Sequence, residues 1–280
     1  MLSRKKFYTF LAHYKPLFWE EFSKTDPRYD LKKRSVNYAL VNRERFYFVL
    51  YYALKHLKTE ASKVVDLGTY PGTMLRILRE FLVEYRFDLF GVGLRLEEEF
   101  VRRLTDLTSA KLMAVNLDPK NDQLREKNYP TRIPLGDQSI DCVFALDIVE
   151  HLTSPIHILD ETKRILRKDG TFIISTPNVT RIGSVFKLLI GRSNYDCLAP
   201  IGYYNENDEW RPHFREYSMS ELTGLLSDAG FAIADKVFFN SNETHFNVKD
   251  AKQRIVDLLK IPFCCIPHFR EHTLIVAKKL

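Results

Sequence analysis

The stretch VVDLGTYPGT, residues 64–73, places an acid and two glycines directly after an apolar run. Asp66 can accept charge-assisted hydrogen bonds, and Gly68 and Gly72 let backbone N–H groups approach a bound molecule closely. The spacing differs from the G-x-G-x-x-G of dinucleotide sites, because Tyr70 stands at the place of a middle glycine, and the phosphate loop G-x-x-x-x-G-K-[ST] is absent. The motif predicts a turn that holds a nucleotide-like ligand without specifying which one.

Two histidines are candidates for proton transfer. His151 lies in DIVEHL, just past a later apolar run, and His213 lies in EWRPHFREYS. An imidazole titrates near the working pH and can take a proton from a hydroxyl group. The alternative for His151 is a structural role, as a buried histidine bonded to a backbone group.

The segment EWRPHFREYS carries an unusual density of polar and aromatic side chains. Arg211 and Arg215 suit a carboxylate or a phosphate, because a guanidinium forms two parallel hydrogen bonds. Trp210 and Tyr217 suit stacking on the face of a sugar. The segment is therefore expected to contact a substrate, or, alternatively, to pack on the sheet edge with its charges paired internally.

Apolar periodicity predicts the elements that position these residues. Strands are expected at KVVDLG, FDLFGVGL, KLMAVNL, IDCVFAL, TFIISTP, FAIADKVFF and EHTLIVAKK. Helices are expected at 72–85, 97–107, 154–170, 218–230 and 248–260 and through VNYALVNRERFYFVLYYALKHL. Alternation of strand and helix means parallel βαβ units in a doubly wound α/β sheet, with the last strand antiparallel to its neighbours. We therefore predict an N-terminal helical cap over residues 1–60 and one α/β domain over 61–280, with a substrate-covering excursion at 178–217.

In this order, VVDLGTYPG, the block from Ile133 to Val179 and LTGLLSDAGF resemble the class I S-adenosylmethionine-dependent methyltransferases. The resemblance covers about residues 61–240, and the later LLIGRSNY and HFREYSMSEL resemble a subgroup that methylates small molecules such as sugars. It implies a mostly parallel seven-stranded Rossmann-like methyltransferase fold. It also implies S-adenosyl-L-methionine as the cofactor.

The resemblance also implies roles for residues along the strand ends. Asp66 and Gly68 would face the methionine part of the cofactor, and Ala145 to Asp147 would line the sulfonium end. Asn116 and the Leu117 amide would meet the edge of the adenine. In the family an acid usually ends the second strand and holds the ribose hydroxyls, whereas this sequence has Gly93 there, which is a departure. The expected cofactor-binding residues are Asp66, Gly68, Thr69, Tyr70, Gly72, Gly93, Leu94, Asn116, Leu117 and Asp147. The expected substrate-binding residues are Asn178, Trp210, Arg211, Arg215 and Tyr217.

Composition limits the class of protein. Hydrophobic residues make up 45% of the 280 residues and charged residues 28%, as in ordinary globular proteins. Residues 1–60 hold 13 Lys and Arg against 6 Asp and Glu, while the remainder holds 29 against 30, so the net charge of +6 resides at the N-terminus. This basic segment either meets a phosphate-bearing partner or forms a solvated helix face.

Cysteine usage and hydropathy point to a reduced, cytoplasmic protein. Four scattered cysteines form no disulfide framework, and CCIPH lacks metal-ligand spacing, so no metal site is expected. The apolar run at 46–54 is too short to cross a bilayer, and neither a signal peptide nor a transmembrane segment is expected. The sequence leaves the oligomeric state open.

These observations predict a methyltransferase that acts on a small-molecule acceptor, with a hydroxyl of a sugar or lipid-linked glycan as the leading choice. One alternative is a nucleic-acid methyltransferase steered by the basic N-terminus, although no RNA-binding module or amine-methylation tetrad is present. The other is a non-catalytic cofactor-binding scaffold, for which Tyr70 and Gly93 are the reason.

Overall fold

The computed structural model describes residues 2–20, 37–57, 62–94, 96–121, 128–194, 213–240, 262–263 and 265–280. Within these residues the fold is a seven-stranded sheet of order β3-β2-β1-β4-β5-β7-β6. Its strands are β1 Ser62–Leu67, β2 Phe87–Gly93, β3 Lys111–Ala114, β4 Ile140–Leu146, β5 Leu166–Pro177, β6 Phe231–Phe239 and β7 His272–Lys279. The first five strands run parallel, and β7 pairs antiparallel with both β5 and β6, which confirms the predicted topology.

Helices cover both faces of the sheet. They are α1 Arg4–His13, α2 Tyr38–Val41, α3 Arg43–Ala53, α4 Thr73–Phe81, α5 Glu98–Thr108, α6 Ile156–Ile165, α7 Ile182–Leu189 and α8 Met219–Asp228. Adjacent residues of a strand point to opposite faces, so Val64 joins the core under α1, α3, α4 and α5, whereas Val65 joins the core under α6 and α8. Burial on both faces explains why β4 is apolar apart from Asp141 and why Val64, Val65 and Leu67 of β1 are all buried.

The helix predicted over 154–170 is shorter than expected, and its last residues belong to β5. Helix α6 ends at Ile165, and Leu166 pairs with Ile140 of β4. Asp169 has a φ of 61°, and a Cβ at Gly170 would lie 2.8 Å from the Arg167 carbonyl oxygen. The chain makes a tight turn here, in which the backbone at Gly170 lies close to that of Arg167. This turn shifts the register between β4 and β5.

Two other elements differ from prediction. The N-terminal helix is divided at Asn42 into α2 and α3, and the Asn37 side chain caps α2 by accepting from the Ala39 and Leu40 amides. Strand β3 ends at Ala114 rather than at Leu117. The helix predicted over 248–260 lies outside the described residues.

A buried acid joins the N-terminal segment to α4. The Glu20 carboxylate is fully buried and accepts hydrogen bonds from the Tyr14 hydroxyl, from Thr73 Oγ1 at 2.6 Å and from Arg76. The Arg76 guanidinium also donates to the Lys15 carbonyl oxygen at 3.2 Å. This network attaches the segment before Glu20 to the first turn of the helix that follows β1.

Within the described part of the chain, none of the helices is long and apolar enough to cross a membrane.

Candidate functional site

The turn after β1 needs both of its glycines. Gly68 and Gly72 have left-handed φ values of 76° and 85°. A Cβ at Gly68 would lie 2.7 Å from Ile148 Cδ1, and one at Gly72 would lie 2.7 Å from Leu104 Cδ2. Any side chain at either position would therefore combine backbone strain with a steric clash. The two glycines that the sequence singled out are required by the turn itself.

The rest of the turn is held by β2 and α5. The amides of Gly68 and Thr69 both donate to the Val92 carbonyl oxygen, at 2.8 and 3.1 Å. The Tyr70 ring lies 5.3 Å from the Phe100 ring, and the Tyr70–Pro71 peptide bond is cis. Tyr70 thus packs on α5 while remaining at the wall of the pocket described below.

Asp66 lies on β1 at the edge of the turn and is 4% exposed. Burial raises the pKa of this carboxyl from 3.8 to about 7, while the neighbouring Thr69 side chain and the Arg45 charge oppose the shift. A carboxyl in this state is close to half ionised at neutral pH. It can therefore complete its ionisation when a cationic group enters the pocket.

A pocket opens beside Asp66, between the turn and α3. Its walls are Tyr38, Arg45, Phe46, Asp66, Gly68, Thr69, Tyr70, Pro71, Thr73, Met74 and Leu146. Of the expected cofactor-binding residues, Asp66, Gly68, Thr69 and Tyr70 meet here. The pocket therefore brings a carboxyl group and a guanidinium cation, those of Asp66 and Arg45, into one cleft at the carboxyl ends of β1 and β4.

Arg45 is a site residue that the sequence analysis missed. Its buried guanidinium donates to the Asp147 carboxylate and to the Tyr38 hydroxyl. Asp147 has a left-handed φ of 50° and also accepts from Ser175 Oγ at 2.9 Å. The available signal was an arginine on the apolar stripe of α3, where Phe46, Val49 and Leu50 form the buried face. An N-terminal helix thus supplies the cation that faces the end of β4.

The residues expected to hold the ribose and adenine lie at the ends of β2 and β3. Gly93 ends β2 beside Ala114, and a Cβ there would find only Thr69 atoms, at 3.8 and 3.9 Å, so the position has room for a side chain. Asn116 is buried, with its backbone amide bonded to the Pro130 carbonyl oxygen at 2.8 Å.

Two further expected cofactor residues flank these positions. Leu94 follows Gly93 and is partly exposed, and Leu117 is 5% exposed. The Asn116 side-chain oxygen accepts from the Asp118 amide at 2.9 Å, so this part of the loop is shaped by its own hydrogen bonds. Leu94 is therefore the more accessible of the two leucines.

Past β4, three side chains meet in one cluster. The turn Val149–His151 supplies Glu150 and His151, and the chain returns at His213 with its ring 4.7 Å from that of His151 and inclined at 75°. Glu150 is fully buried, and burial raises the pKa of its carboxyl. The Phe214 amide donates to the Glu150 carbonyl oxygen at 2.7 Å, so the backbone joins the two segments as well. The two histidines selected as proton-transfer candidates therefore lie side by side.

Glu216 fixes the orientation of the His213 ring. His213 Nδ1 donates to Glu216 Oε1 at 3.1 Å, and the Arg181 guanidinium donates to both oxygens of the same carboxylate, one at 2.9 Å. Burial favours the neutral acid, but the hydrogen bonds from His213 and Arg181 hold the pKa of Glu216 below its usual range. An ionised carboxylate thus fixes the tautomer of His213 and leaves Nε2 as the acceptor.

Asn178 has structural partners in this fold. Its side-chain amide donates to the carbonyl oxygens of His268 and Arg270, each at 2.8 Å, and its oxygen accepts from Thr180. It is fully buried and forms a bridge with Tyr217. These contacts close the sheet end next to the cluster.

The remaining expected substrate residues are described in part. Arg215 Nη2 donates to Glu221 Oε1 at 2.8 Å, and the Arg215 side chain is 59% exposed. Tyr217 is buried, with the Arg215 guanidinium 5.4 Å above its ring. Trp210 and Arg211 lie outside the described residues, as does Cys264 of CCIPH.

Comparison with protein families gives one match over most of the chain. The model of a family described as a methyltransferase domain matches residues 40–236. This range begins at the end of α2, so it contains α3 and Arg45, and it ends within β6.

Curated relatives are similar over parts of the chain. A Mycolicibacterium smegmatis protein named as a probable S-adenosylmethionine-dependent methyltransferase is 30% identical over 147 residues, which are 52% of this chain and 49% of the relative. A ubiquinone biosynthesis O-methyltransferase of Xylella fastidiosa is 25% identical over 184 residues, 66% of each chain. The chain spans about half the length of the first of these relatives.

Solved structures share the fold. A methyltransferase of Archaeoglobus fulgidus superposes with a TM-score of 0.52 at 19% identity and covers 85% of this chain and 94% of its own. A Haloferax volcanii structure, solved as a complex between a methyltransferase activator and a methyltransferase, gives a TM-score of 0.54 at 20% identity, covering 84% of this chain and 91% of the other. At these identities the likeness concerns the arrangement of sheet and helices.

Proposed function

Because the chain belongs to the methyltransferase domain family, we propose that the protein transfers a methyl group from S-adenosylmethionine to a hydroxyl of a small-molecule acceptor. A sugar or a lipid-linked glycan is the acceptor that we favour. The Mycolicibacterium smegmatis relative is named as S-adenosylmethionine-dependent, and S-adenosylmethionine is, by family membership, the cofactor of this chain.

The pocket at the carboxyl end of β1 is the observation on which the proposal depends. Ligands of open α/β sheets bind beyond the carboxyl ends of the strands, and this pocket joins the glycine turn to Asp66 and Arg45. A carboxylate and a guanidinium facing one cleft complement an amino acid, which carries an ammonium and a carboxylate. The methionine part of the cofactor has these two groups.

In the proposed complex, Asp66 organises the cofactor ammonium and Arg45 is the cation available to its carboxylate. Arg45 is held by Asp147 and Tyr38, so it is already oriented before a ligand arrives. Orientation before binding reduces the entropy that binding must overcome. Gly93, Leu94, Asn116 and Leu117 remain the proposed contacts of the ribose and adenine.

Methyl transfer itself needs alignment more than covalent help. The acceptor oxygen attacks the methyl carbon in line with the carbon–sulfur bond, and the electrons of that bond pass to sulfur. An acceptor hydroxyl must also lose its proton. His151 and His213, which lie beyond β4 on the side of Asp147, are the proposed bases.

Two relatives support an oxygen atom as the methyl acceptor. The Xylella fastidiosa relative is an O-methyltransferase of ubiquinone biosynthesis, and another relative, from a Marinomonas species, is a malonyl-acyl-carrier-protein O-methyltransferase. Their acceptors belong to those proteins. What is carried over is the class of acceptor atom, and the 178–217 segment is proposed to cover it.

Calorimetry with Asp66→Ala tests the cofactor part of the proposal. The unaltered protein should bind S-adenosylmethionine, and the variant should bind it 10- to 150-fold more weakly, which corresponds to the loss of a charge-assisted hydrogen bond of about 1.5–3 kcal/mol. Asp88→Ala is the matched control, because Asp88 is exposed on β2 and should leave affinity unchanged. Absence of cofactor binding by the unaltered protein would overturn the proposal.

The acceptor part needs a separate assay. Formation of S-adenosylhomocysteine should rise when hydroxyl-bearing sugars are added and should stay at background with nucleic acids. Cofactor binding without turnover on any acceptor would instead favour the scaffold alternative. Turnover on RNA would favour the nucleic-acid alternative, for which the basic N-terminal 60 residues are the reason.

A further inference from the structure

The cluster past β4 has the composition of a metal site. One ligand atom each from Glu150, His151 and His213 lies within 4.8 Å of the others. Four ligands around zinc at about 2.1 Å are roughly 3.4 Å apart in a tetrahedron, so small side-chain rotations would bring these atoms to coordinating distance. Two histidines and one glutamate are also a donor set that catalytic zinc sites use.

The buried carboxylate supplies an independent observation. Glu150 is fully buried, and its Oε1 has no hydrogen-bond partner within the described residues. Its other oxygen accepts from Thr176 Oγ1 at 2.8 Å. A buried carboxylate oxygen without a partner is costly, and a bound cation is one of the groups that offsets that cost. Because this glutamate is part of the cluster, its unpartnered oxygen favours a ligand over a purely structural arrangement.

Hydrogen bonds with neighbouring residues fix the orientation of His213 and Glu150, as is common for the ligands of protein-bound metals. Glu216 receives the Nδ1 proton of His213, and Arg181 holds Glu216. A metal-bound histidine commonly donates its other ring N–H to a carboxylate in this manner, which fixes the ring and increases its basicity. The Thr176 hydroxyl donates to Glu150 Oε2 at 2.8 Å and so fixes the orientation of this carboxylate. The His213 side chain is 30% exposed, so an ion can reach the cluster from solvent.

We propose that Glu150, His151 and His213 bind one divalent transition-metal ion, for which Zn²⁺ serves as the test ion. Imidazole nitrogens with one carboxylate favour such an ion over Mg²⁺ or Ca²⁺, which prefer oxygen ligands. The proposal departs from the expectation of no metal site, which considered only CCIPH. Sequence spacing could not indicate it, since His213 follows Glu150 by 63 positions.

Bound metal would have a role in the reaction if the proposed function holds. Three protein ligands leave a position for the acceptor hydroxyl, whose pKa the metal would lower. With the metal bound, His151 and His213 would be its ligands rather than bases, and the hydroxyl proton would pass to solvent. The oxygen lone pair would form the bond to the methyl carbon, and the carbon–sulfur bond would break toward sulfur. This step rests on the proposed function, whereas metal binding rests on the cluster alone.

Titration with Zn²⁺ alone tests the site without acceptor or activity. Protein treated with a chelator and then dialysed should bind one equivalent of Zn²⁺ by calorimetry, and Co²⁺ should give the visible absorption of a four- or five-coordinate ion. Glu150→Gln and His151→Asn should each weaken Zn²⁺ binding at least tenfold. His157→Ala is the matched control, because His157 is a partly exposed histidine outside the cluster, bonded to the Thr131 carbonyl oxygen at 2.9 Å.

Folding of each variant is verified by melting temperature and by affinity for S-adenosylhomocysteine, which do not involve the proposed ligands directly. Equal Zn²⁺ affinity in the unaltered protein and in both cluster variants would overturn the proposal, as would the absence of any Zn²⁺ binding. A protein that binds Zn²⁺ through this cluster but does not bind S-adenosylmethionine would support the metal site and contradict the proposed function.

Discussion

At the scale of the residue, Asp66 shows how burial sets the behaviour of one group. Its position on a buried parallel strand removes it from water, and the nearby Arg45 compensates only in part. A carboxyl group that burial makes costly to ionise gains most from the approach of a cationic ligand. The same burial makes the group a measurable contributor to the pH dependence of stability.

We predict that Asp66 causes the ligand-free protein to lose stability as the pH rises from 5 to 7. Its pKa is about 7 in the folded state against 3.8 as the ordinary value, so the folded protein holds the proton that the unfolded chain has released. Its contribution is complete below the ordinary value and is lost as the pH rises through 7. One group changes the free energy of unfolding by about 1.4 kcal/mol per pH unit in this range.

Urea unfolding of the unaltered protein and of Asp66→Asn at pH 5, 6, 7 and 8 measures this effect. The variant keeps the shape of the side chain but has no proton to release, so it should become the more stable of the two at high pH. Parallel pH profiles for the two proteins would contradict the prediction.

Gly93 permits a second test at the same scale. Its φ is not left-handed, and a Cβ there meets no atom closer than 3.8 Å, so Gly93→Asp should fold with little loss of stability. If the ribose lies beside β2, the new carboxylate should accept hydrogen bonds from its hydroxyls and tighten S-adenosylmethionine binding about tenfold. Gly93→Asn, of equal size without the charge, is the control. Unchanged affinity in calorimetry would place the ribose elsewhere.

At the scale of the element, the start of α8 combines a capping box with a surface ion pair. The Ser218 hydroxyl accepts from the Glu221 amide, and the Glu221 side chain accepts from the Ser218 amide and from Arg215. The segment that precedes α8 is thus anchored at its carboxyl end. Its position beside His213 is the reason for proposing that it contacts the acceptor.

Arg215→Lys tests that proposal. The ion pair with Glu221 is largely exposed, so its loss should change the free energy of unfolding by less than about 1 kcal/mol and should leave cofactor affinity unchanged. If Arg215 grips an anionic or sugar-bearing acceptor, turnover should nevertheless fall, because lysine cannot form the two parallel bonds. Arg103→Lys on α5, a similarly exposed pair with Glu99, is the control. Equal turnover in all three proteins would remove Arg215 from the substrate site.

At the scale of the whole molecule, the N-terminal segment and the sheet share one core. Phe7 and Leu11 of α1 belong to the same buried cluster as Leu75 of α4 and Val64 of β1. Glu20 and Arg45 add polar connections, one to α4 and one to the end of β4. We propose from these contacts that residues 1–60 act as a cap on the cofactor site.

Glu20→Ala should therefore affect stability and the pocket together. Removing this buried carboxylate leaves Arg76 without its buried partner, which typically costs 3–5 kcal/mol, and removes the acceptor of the Thr73 hydroxyl at the pocket wall. Thermal melting and S-adenosylmethionine calorimetry should both show losses. Glu80→Ala, which removes the more exposed partner of Arg76, should cost less than about 1 kcal/mol. A stability loss without any change in cofactor affinity would separate the segment from the site.

The sequence by itself determined the features that depend on short-range patterns. Strand and helix periodicity indicated the sheet and its antiparallel last strand, and the glycine turn after β1 followed from VVDLGTYPGT, because backbone geometry there depends on adjacent residues. The same local logic failed at Leu166–Gly170, where pairing with β4 outweighed the helical pattern. Resemblance of motifs indicated the family, which the match over residues 40–236 confirms.

Only the tertiary structure decided which side chains share the site. Arg45 meets Asp147 across 102 positions, and His213 meets His151 and Glu150 after a long excursion. Neither meeting has a local signature, because each depends on how a helix is rotated on the sheet or where a connection returns to it. Burial decided the chemical state of two acids. The pKa of Asp66 is raised and Glu150 Oε1 lacks a hydrogen-bond partner within the described residues because distant parts of the chain surround these groups and exclude water from them.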